Sequence, residues 1–457
     1  MRKAAFHNLG CKVNAWETEA MEQMLEAAGY EIVPFTEKAD VYIVNTCSVT
    51  NIADKKSRQM LHRARKNNPA AAVVAAGCYA QSAKEVLQQD DAVDIIIGND
   101  RKKELAAILE RWFAESGSGN GSLENAAGRR MEDWIDISGV REFEDMHISR
   151  TAEHTRAFLK IQDGCNQFCS YCIIPYARGR VRSRRPEDVV REAEILASEG
   201  YREIVLTGIH LSSYGLDFEK KEYEGESSLM DLLRKLDRVP GIERLRLGSL
   251  EPRIVTDEFA EKLSQLRTIC PHFHLSLQSG CGKTLRRMNR HYTPEEYRAC
   301  CERLRRVFDH PAVTTDVIVG FPGETEEEFA TSRQFVDSIG FYELHVFRYS
   351  RRKGTKADKM PDQVPEAVKA LRSDVLISMD REKSAAFRRW YIGRPAEILM
   401  EEPVLIGGRK YMAGHTREYV KGAVPWREGL KNTVIRGIFT GMLTDEILLA
   451  AETGAGN

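Results

Sequence analysis

The 457-residue sequence has no long apolar run; the longest, Ala70–Gly77, is far short of the ~20 residues a membrane helix needs. It has almost no net charge, −1 at pH 7. No global field therefore advertises a nucleic-acid partner, and any such site must be a local patch. Met1-Arg2-Lys3 leads into a strand-like segment with Asn8 and Lys12 close behind, not into the apolar core of a signal peptide. These absences predict a cytoplasmic protein with no membrane partner. The eleven histidines show no H-x-x-x-H spacing that would argue for zinc on a helix. His210 and His274, near strand ends, read as packing or polar contacts. What is present, 42% apolar and 30% charged residues, fits a soluble globular chain of two to four domains. Its ten cysteines, in a reducing compartment, point to metal ligands or buried thiols rather than disulfides.

Three of those cysteines stand together in Gly164-Cys165-Asn166-Gln167-Phe168-Cys169-Ser170-Tyr171-Cys172. The C-x3-C-x2-C spacing offers three thiolates to one metal centre from a single loop. Sulfur suits iron–sulfur sites, and four cysteines usually fill a [4Fe–4S] cluster. Three ligands would leave one iron open to a substrate or cofactor. The paired C-x2-C of a zinc ribbon, which closes a tetrahedron, is different.

The first ~100 residues alternate strand and helix. Lys3–Leu9, Asp40–Asn45, Ala71–Ala76 and Asp94–Ile97 read as strands, Trp16–Ala28 and Asp54–Lys66 as helices. Such alternation predicts a parallel sheet with crossover helices. Cys11, Cys47 and Cys78 each follow the end of one of the first three strands, on the sheet edge where open α/β folds bind ligands. Repetition of one topological position suggests a second site with three thiolates. Glu115–Asn125 is rich in Gly, Ser and Asn and reads as a flexible linker.

From Thr155 a longer α/β pattern begins. Expected strands are Ala157–Gln162, Glu203–Thr207, Leu245–Ser249, Phe273–Leu277, Thr314–Val319 and Glu343–Phe347, with helices at Glu187–Ser198, Thr256–Leu266, Pro294–Phe308 and Glu326–Ile339. Six strand–helix units fall short of the ~250 residues of a full eight-unit barrel, so a partial (β/α)6 barrel is expected, its cysteine loop on the catalytic face. Helix-like Val364–Tyr391 is followed by short strands at Ala396–Met400, Tyr411–Met412, Arg417–Val420, Thr433–Phe439 and Glu446–Ala450. They predict a small all-β barrel, and a disordered tail Glu452–Asn457. The expected fold class is α/β: a flavodoxin-like parallel domain (1–115), a bridging segment (116–150), the partial barrel (151–375) and the β module (390–452).

The cysteine loop, with an aromatic residue before its third cysteine, resembles the signature of the radical S-adenosylmethionine (SAM) enzymes. The order of two cysteine trios and a C-terminal β module resembles one family among them, the methylthiotransferases. Leu9–Asn14, Asn45–Cys47 and Ala76–Tyr79 resemble the loops of its auxiliary cluster. Gly164–Gly179, Gly320–Glu324, Tyr349–Thr355 and Gly414–Tyr419 also match, the last resembling the start of the RNA-binding TRAM module. The resemblance implies SAM and two [4Fe–4S] clusters as cofactors. Cys165, Cys169 and Cys172 would hold the cluster that binds SAM and yields a 5′-deoxyadenosyl radical. Cys11, Cys47 and Cys78 would hold one carrying an extra sulfide or methylsulfide. An electron donor such as flavodoxin or ferredoxin is implied. Among the branches, the Gly-Cys-Lys-Val-Asn start and basic Lys55–Lys66 resemble most the one acting on N6-threonylcarbamoyladenosine beside the anticodon (position 37) of tRNA. Action on isopentenyl-adenosine tRNA or a ribosomal protein is the alternative within the family, and a non-enzymatic iron–sulfur RNA-binding protein the alternative class.

For SAM, the candidates are Tyr171 and the strand-end residues Thr207, Gly208, Ser249, Glu251, Arg253, Gln278 and Gly320. Their bland reading is turn chemistry and salt bridging at the barrel mouth. For RNA phosphates they are Lys55, Lys56, Arg58, Arg63, Arg182, Arg184, Arg185 and Arg352, basic residues near the cysteine loops; the bland reading is a solvated face. Cys270, Cys281, Cys300 and Cys301 read as structural, the last two diverging by about 100° on a helix.

Overall fold

The computed structural model describes residues 1–116, 130–150, 155–218 and 228–453. Most of the expected linker, and the tail beyond Thr453, lie outside these residues; Glu452 itself is the end of a strand rather than of a loose tail.

The first sheet is wholly parallel. Its strands are β1 (Lys3–Asn8), β2 (Glu31–Val33), β3 (Val41–Thr46), β4 (Ala72–Gly77), β5 (Ile95–Ile97) and β6 (Met131–Asp133), in the order β2-β1-β3-β4-β5-β6. β3 and β4 are buried at every position, as strands covered on both faces must be. Val41 and Ile43 pack on one face, Tyr42 and Val44 on the other, following the two-residue period. The expected parallel domain is present, with two short strands added. β2 lies at the edge, so β1, β3 and β4 remain adjacent.

The second unit has β7 (Arg156–Asp163), β8 (Arg182–Ser183), β9 (Glu203–Gly208), β10 (Arg244–Leu247), β11 (His272–His274), β12 (Ala312–Val319) and β13 (Glu343–Arg348). They form sheets β10-β9-β7-β8 and β11-β12-β13, joined by the bridges Leu245–Ile269 and Leu250–Leu275. Apart from antiparallel β8, the paired strands of each sheet run parallel. The six expected strands of the partial barrel are all present, with the short antiparallel β8 added.

Helix Lys12–Ala27 serves both units. Trp16 and Ala20 belong to the core of the partial barrel, whereas Met21 and Leu25 belong to that of the first sheet. Trp16 Nε1 also donates to Glu192 Oε1 at 3.0 Å. One helix is thus buried on two sides, which fixes the first cysteine loop against the barrel mouth.

The C-terminal strands β14 (Pro395–Ile406), β15 (Arg409–His415), β16 (Lys421–Pro425), β17 (Val434–Met442) and β18 (Leu448–Glu452) close into a barrel. Arg417–Val420 is not the expected strand. It is the β15–β16 loop, with Tyr419 left-handed (φ 69°). Tyr419 stacks on His272 (4.9 Å) beneath the Arg246 guanidinium (4.8 Å). Arg246 donates to the carbonyls of Arg417 and Thr416. The Thr416 carbonyl also accepts the Tyr419 amide (3.1 Å), which closes the segment as a turn.

Candidate active site

Parallel strands deliver their carboxyl ends to one edge, and the three adjacent strands of the first sheet each end in a cysteine loop. Asn8 pairs with Asn45 and Thr46 with Gly77, so Cys47 and Cys78 leave neighbouring strands side by side. The Cys11 loop is as close: a Cβ on Gly10 would lie 2.9 Å from Cys47 Sγ, and Gly10 has φ 111°, a conformation glycine alone tolerates well. Burial pushes the Cys47 thiol up to about 11, with Cys78 adding to the effect. Protonated thiols in such a place are stable only until a metal replaces the proton.

The second trio follows β7. At Gly164, φ is 68° and a Cβ would lie 1.8 Å from the Arg180 carbonyl oxygen, so only glycine admits the fold-back. The Cys165 amide donates to the Gly179 carbonyl (3.1 Å), and the Gln167 amide donates to Cys165 Sγ (3.4 Å). Arg290 Nη1 reaches Cys169 Sγ at 3.3 Å. Burial raises Cys165 to about 11 and Cys172 further, Cys169 adding to the latter. All three cysteines border one cavity of about 280 Å³.

Among the described residues, only His274, Asp316 and His345 bring three ligand atoms within 4.8 Å of one another. Both cysteine trios are wider.

Tyr171, Ser249, Glu251 and Gln278 border the same cavity. Thr207, Gly208, Arg253 and Gly320 do not. Arg253 turns to pair with Glu251 (2.9 Å). Gly320 is needed for a different neighbour: a Cβ there would lie 2.3 Å from Lys369 Cγ. His210 and Arg290 border the cavity without having been singled out for the cofactor. Burial lowers His210 to about 4, so its ring is neutral, and its Nε2 has no protein partner.

Three of the expected phosphate contacts are corrected. Arg182 is buried and pairs with Asp100 (3.3 Å); Arg184 is buried against Glu192 (2.7 Å). Arg352 is buried as well, donating to Asp54 (2.7 Å), Asn51 (2.9 Å) and Ser48 (2.7 Å). It clamps the segment after Cys47 to the barrel. Arg58 is half-buried and donates to the Tyr79 hydroxyl. Lys55, Lys56, Arg63 and Arg185 are exposed.

Arg178 joins the two trios. Its Nε lies 3.2 Å from Cys78 Sγ, while its Nη atoms donate to Glu17, Asp163 and Asn14. Lys160 bridges Glu17 and Asp163, both at 2.7 Å, and Lys102 also pairs with Glu17. Burial alone would raise the Glu17 carboxyl, but the three cations hold it well below its ordinary range. The reading of Lys12–Ala27 as an amphipathic helix gave no sign that Glu17 faces inward.

Residues 159–336 match the Radical SAM superfamily and residues 3–98 the Uncharacterized protein family UPF0004. The chain is 41% identical to the threonylcarbamoyladenosine tRNA methylthiotransferase MtaB of Bacillus subtilis, over 95% of this chain and 93% of that protein. It belongs to the radical SAM methylthiotransferases. The tRNA-2-methylthio-N(6)-dimethylallyladenosine synthase of Clostridium novyi is 35% identical, with 89% and 87% covered. Among solved structures, the radical SAM methyltransferase TsrM of Kitasatospora setae, with cobalamin and a [4Fe–4S] cluster bound, superposes with a TM-score of 0.56 at 17% identity, covering 78% of this chain and 77% of that one. That likeness concerns the fold. As a member of this family the methylthiotransferase uses SAM and [4Fe–4S] clusters.

Proposed function

We propose that this methylthiotransferase replaces the C2 hydrogen of N6-threonylcarbamoyladenosine at position 37 of tRNA with a methylthio group. The observation that carries the reading is the joining of two cysteine trios at one barrel mouth, in a chain whose identity to an MtaB protein extends over nearly its whole length. When bound, the two clusters and SAM supply the radical, the sulfur and the methyl group. Cys165, Cys169 and Cys172 hold the cluster beside SAM, and Cys11, Cys47 and Cys78 hold the auxiliary one. Tyr171, Ser249, Glu251 and Gln278 orient SAM in the cavity, with Arg290 and neutral His210 beside them. Gly164 and Arg178 set the distance between the two loops. Exposed Lys55, Lys56, Arg63 and Arg185 contact tRNA phosphates. The work divides among segments 1–115, 151–375 and 390–452, the last binding RNA, with 116–150 as the bridge. No helix among the described residues is long and apolar enough to cross a membrane, in keeping with a cytoplasmic enzyme reduced by flavodoxin or ferredoxin.

Anaerobic turnover with dithionite, SAM and tRNA carrying the threonylcarbamoyl modification tests this. The expected products are 5′-deoxyadenosine and 2-methylthio-N6-threonylcarbamoyladenosine. Methylthiolation of isopentenyl-adenosine instead would move the enzyme to the other branch.

A further inference from the structure

Three adjacent strands of the partial barrel place two imidazoles and one carboxylate at a common point. In the parallel register His274 on β11 faces Thr314 on β12, and Asp316 on β12 faces His345 on β13. Residues two apart share a face of a strand, so His274 and Asp316 meet diagonally while Asp316 and His345 meet directly. His274 Nε2 lies 3.3 Å from Asp316 Oδ2, and His345 Nδ1 lies 3.2 Å from Asp316 Oδ1. The two rings stack with centroids 5.3 Å apart and 21° between planes. All three ligand atoms fall within 4.8 Å of one another.

We propose that His274, Asp316 and His345 form a binding site for a divalent first-row transition-metal ion, separate from both cysteine trios. Two imidazoles and a carboxylate on one side of an ion leave its other positions open, the donor set that suits iron(II) and its neighbours. The ring orientations fit this. Thr314 Oγ1 lies 3.0 Å from His274 Nδ1. With that nitrogen as donor, the Nε2 lone pair faces the carboxylate, as a hydrogen bond on the far ring nitrogen arranges for metal-bound histidine. A hydrogen bond to Asp316 from that tautomer would require an added proton; a cation requires none.

The site is also reachable. His274 is nearly buried, Asp316 is about a quarter exposed and His345 about half exposed. Asp316 borders the cavity that holds Cys165, Cys169 and Cys172, whereas His345 borders a second cavity, between the barrel and the C-terminal module. An ion held here therefore stands where the two cavities approach each other, its open positions available to an oxygen or nitrogen of a bound molecule.

The experiment is a Mn(II) titration of the full-length protein with its clusters loaded, the free aquo-ion being read by EPR. Mn(II) favours carboxylate and water over thiolate, so it discriminates against the cysteines. One ion per chain is expected for the wild type, bound at least tenfold more weakly by both His345→Ala and Asp316→Asn, with iron content and iron–sulfur absorption unchanged. His345→Ala removes a half-exposed side chain and Asp316→Asn keeps the shape of the original, so both should fold. No uptake by the wild type, or equal uptake by all three proteins, overturns the proposal. The titration needs neither tRNA nor SAM, so its failure leaves the methylthiolation reading standing.

Discussion

Arg178 Nε lies 3.2 Å from Cys78 Sγ, although Arg178 belongs to the segment that follows the other cysteine trio. The next residue, Gly179, accepts the Cys165 amide at 3.1 Å. Two consecutive residues thus tie one cysteine of each trio to the same piece of backbone. Hydrogen bonds to cluster sulfurs are among the determinants of reduction potential, so Arg178 is placed both to position and to tune.

Arg178→Met should therefore have two effects. It strands Glu17 and Asp163 in a buried site with one cation fewer, which costs about 3–5 kcal/mol when a buried pair is broken. It should also shift the potential of the cluster held by Cys78, read by EPR-monitored redox titration, while the other cluster shifts less. Lost stability with both potentials unmoved would leave Arg178 a purely structural residue.

The two trios should separate by substitution. Replacing Cys11, Cys47 and Cys78 with Ala should halve the iron bound per chain and abolish methylthiolation, yet leave reductive cleavage of SAM to 5′-deoxyadenosine. Replacing Cys165, Cys169 and Cys172 should abolish both reactions. Cleavage persisting in the second variant would reverse the assignment of the trios.

Charge removal should distinguish exposed from buried basic residues. Each phosphate contact contributes about 0.7–0.9 to the slope of log affinity against log salt. Lys55→Ala with Lys56→Ala should flatten the slope for tRNA by about 1–2 at unchanged melting temperature. Arg182→Ala and Arg184→Ala should instead lower the melting temperature, because both side chains are buried in ion pairs. A flattened slope with full stability in the arginine variants would restore them as phosphate contacts.

Glu203 sets an acid-sensitive contact beneath the barrel. Burial alone would raise its carboxyl, but Arg246 (2.7 Å away), with Arg156 and Arg244, lowers it to about 2. A depressed folded value means stability that is present above the ordinary carboxylate pKa of about 4.3 and is lost as pH falls toward 2, on the order of 3 kcal/mol in all. The stability difference between wild type and Glu203→Gln, measured by denaturant unfolding, should narrow between pH 6 and pH 3. A constant difference would contradict the pairing.

Much of this was legible in the sequence because parallel strands announce themselves and cysteines at their ends need no further geometry to be placed. Strands of two or three residues, such as Glu31–Val33, Met131–Asp133 and Arg182–Ser183, carry too few alternations to be seen. Arg417–Val420, expected as a strand, is a loop because Tyr419 docks beneath Arg246. Glu17 was opaque for another reason. A glutamate in a helix is ordinarily solvated, and its partners Lys102, Lys160 and Arg178 lie 85, 143 and 161 residues away. The histidine cluster was hidden likewise, since its members come from three strands at no helical spacing.

The central claim is tested most directly by mass spectrometry of tRNA nucleosides from cells with and without the gene. Loss of 2-methylthio-N6-threonylcarbamoyladenosine, with its unmodified parent accumulating, is the predicted result. An unchanged nucleoside profile would contradict it.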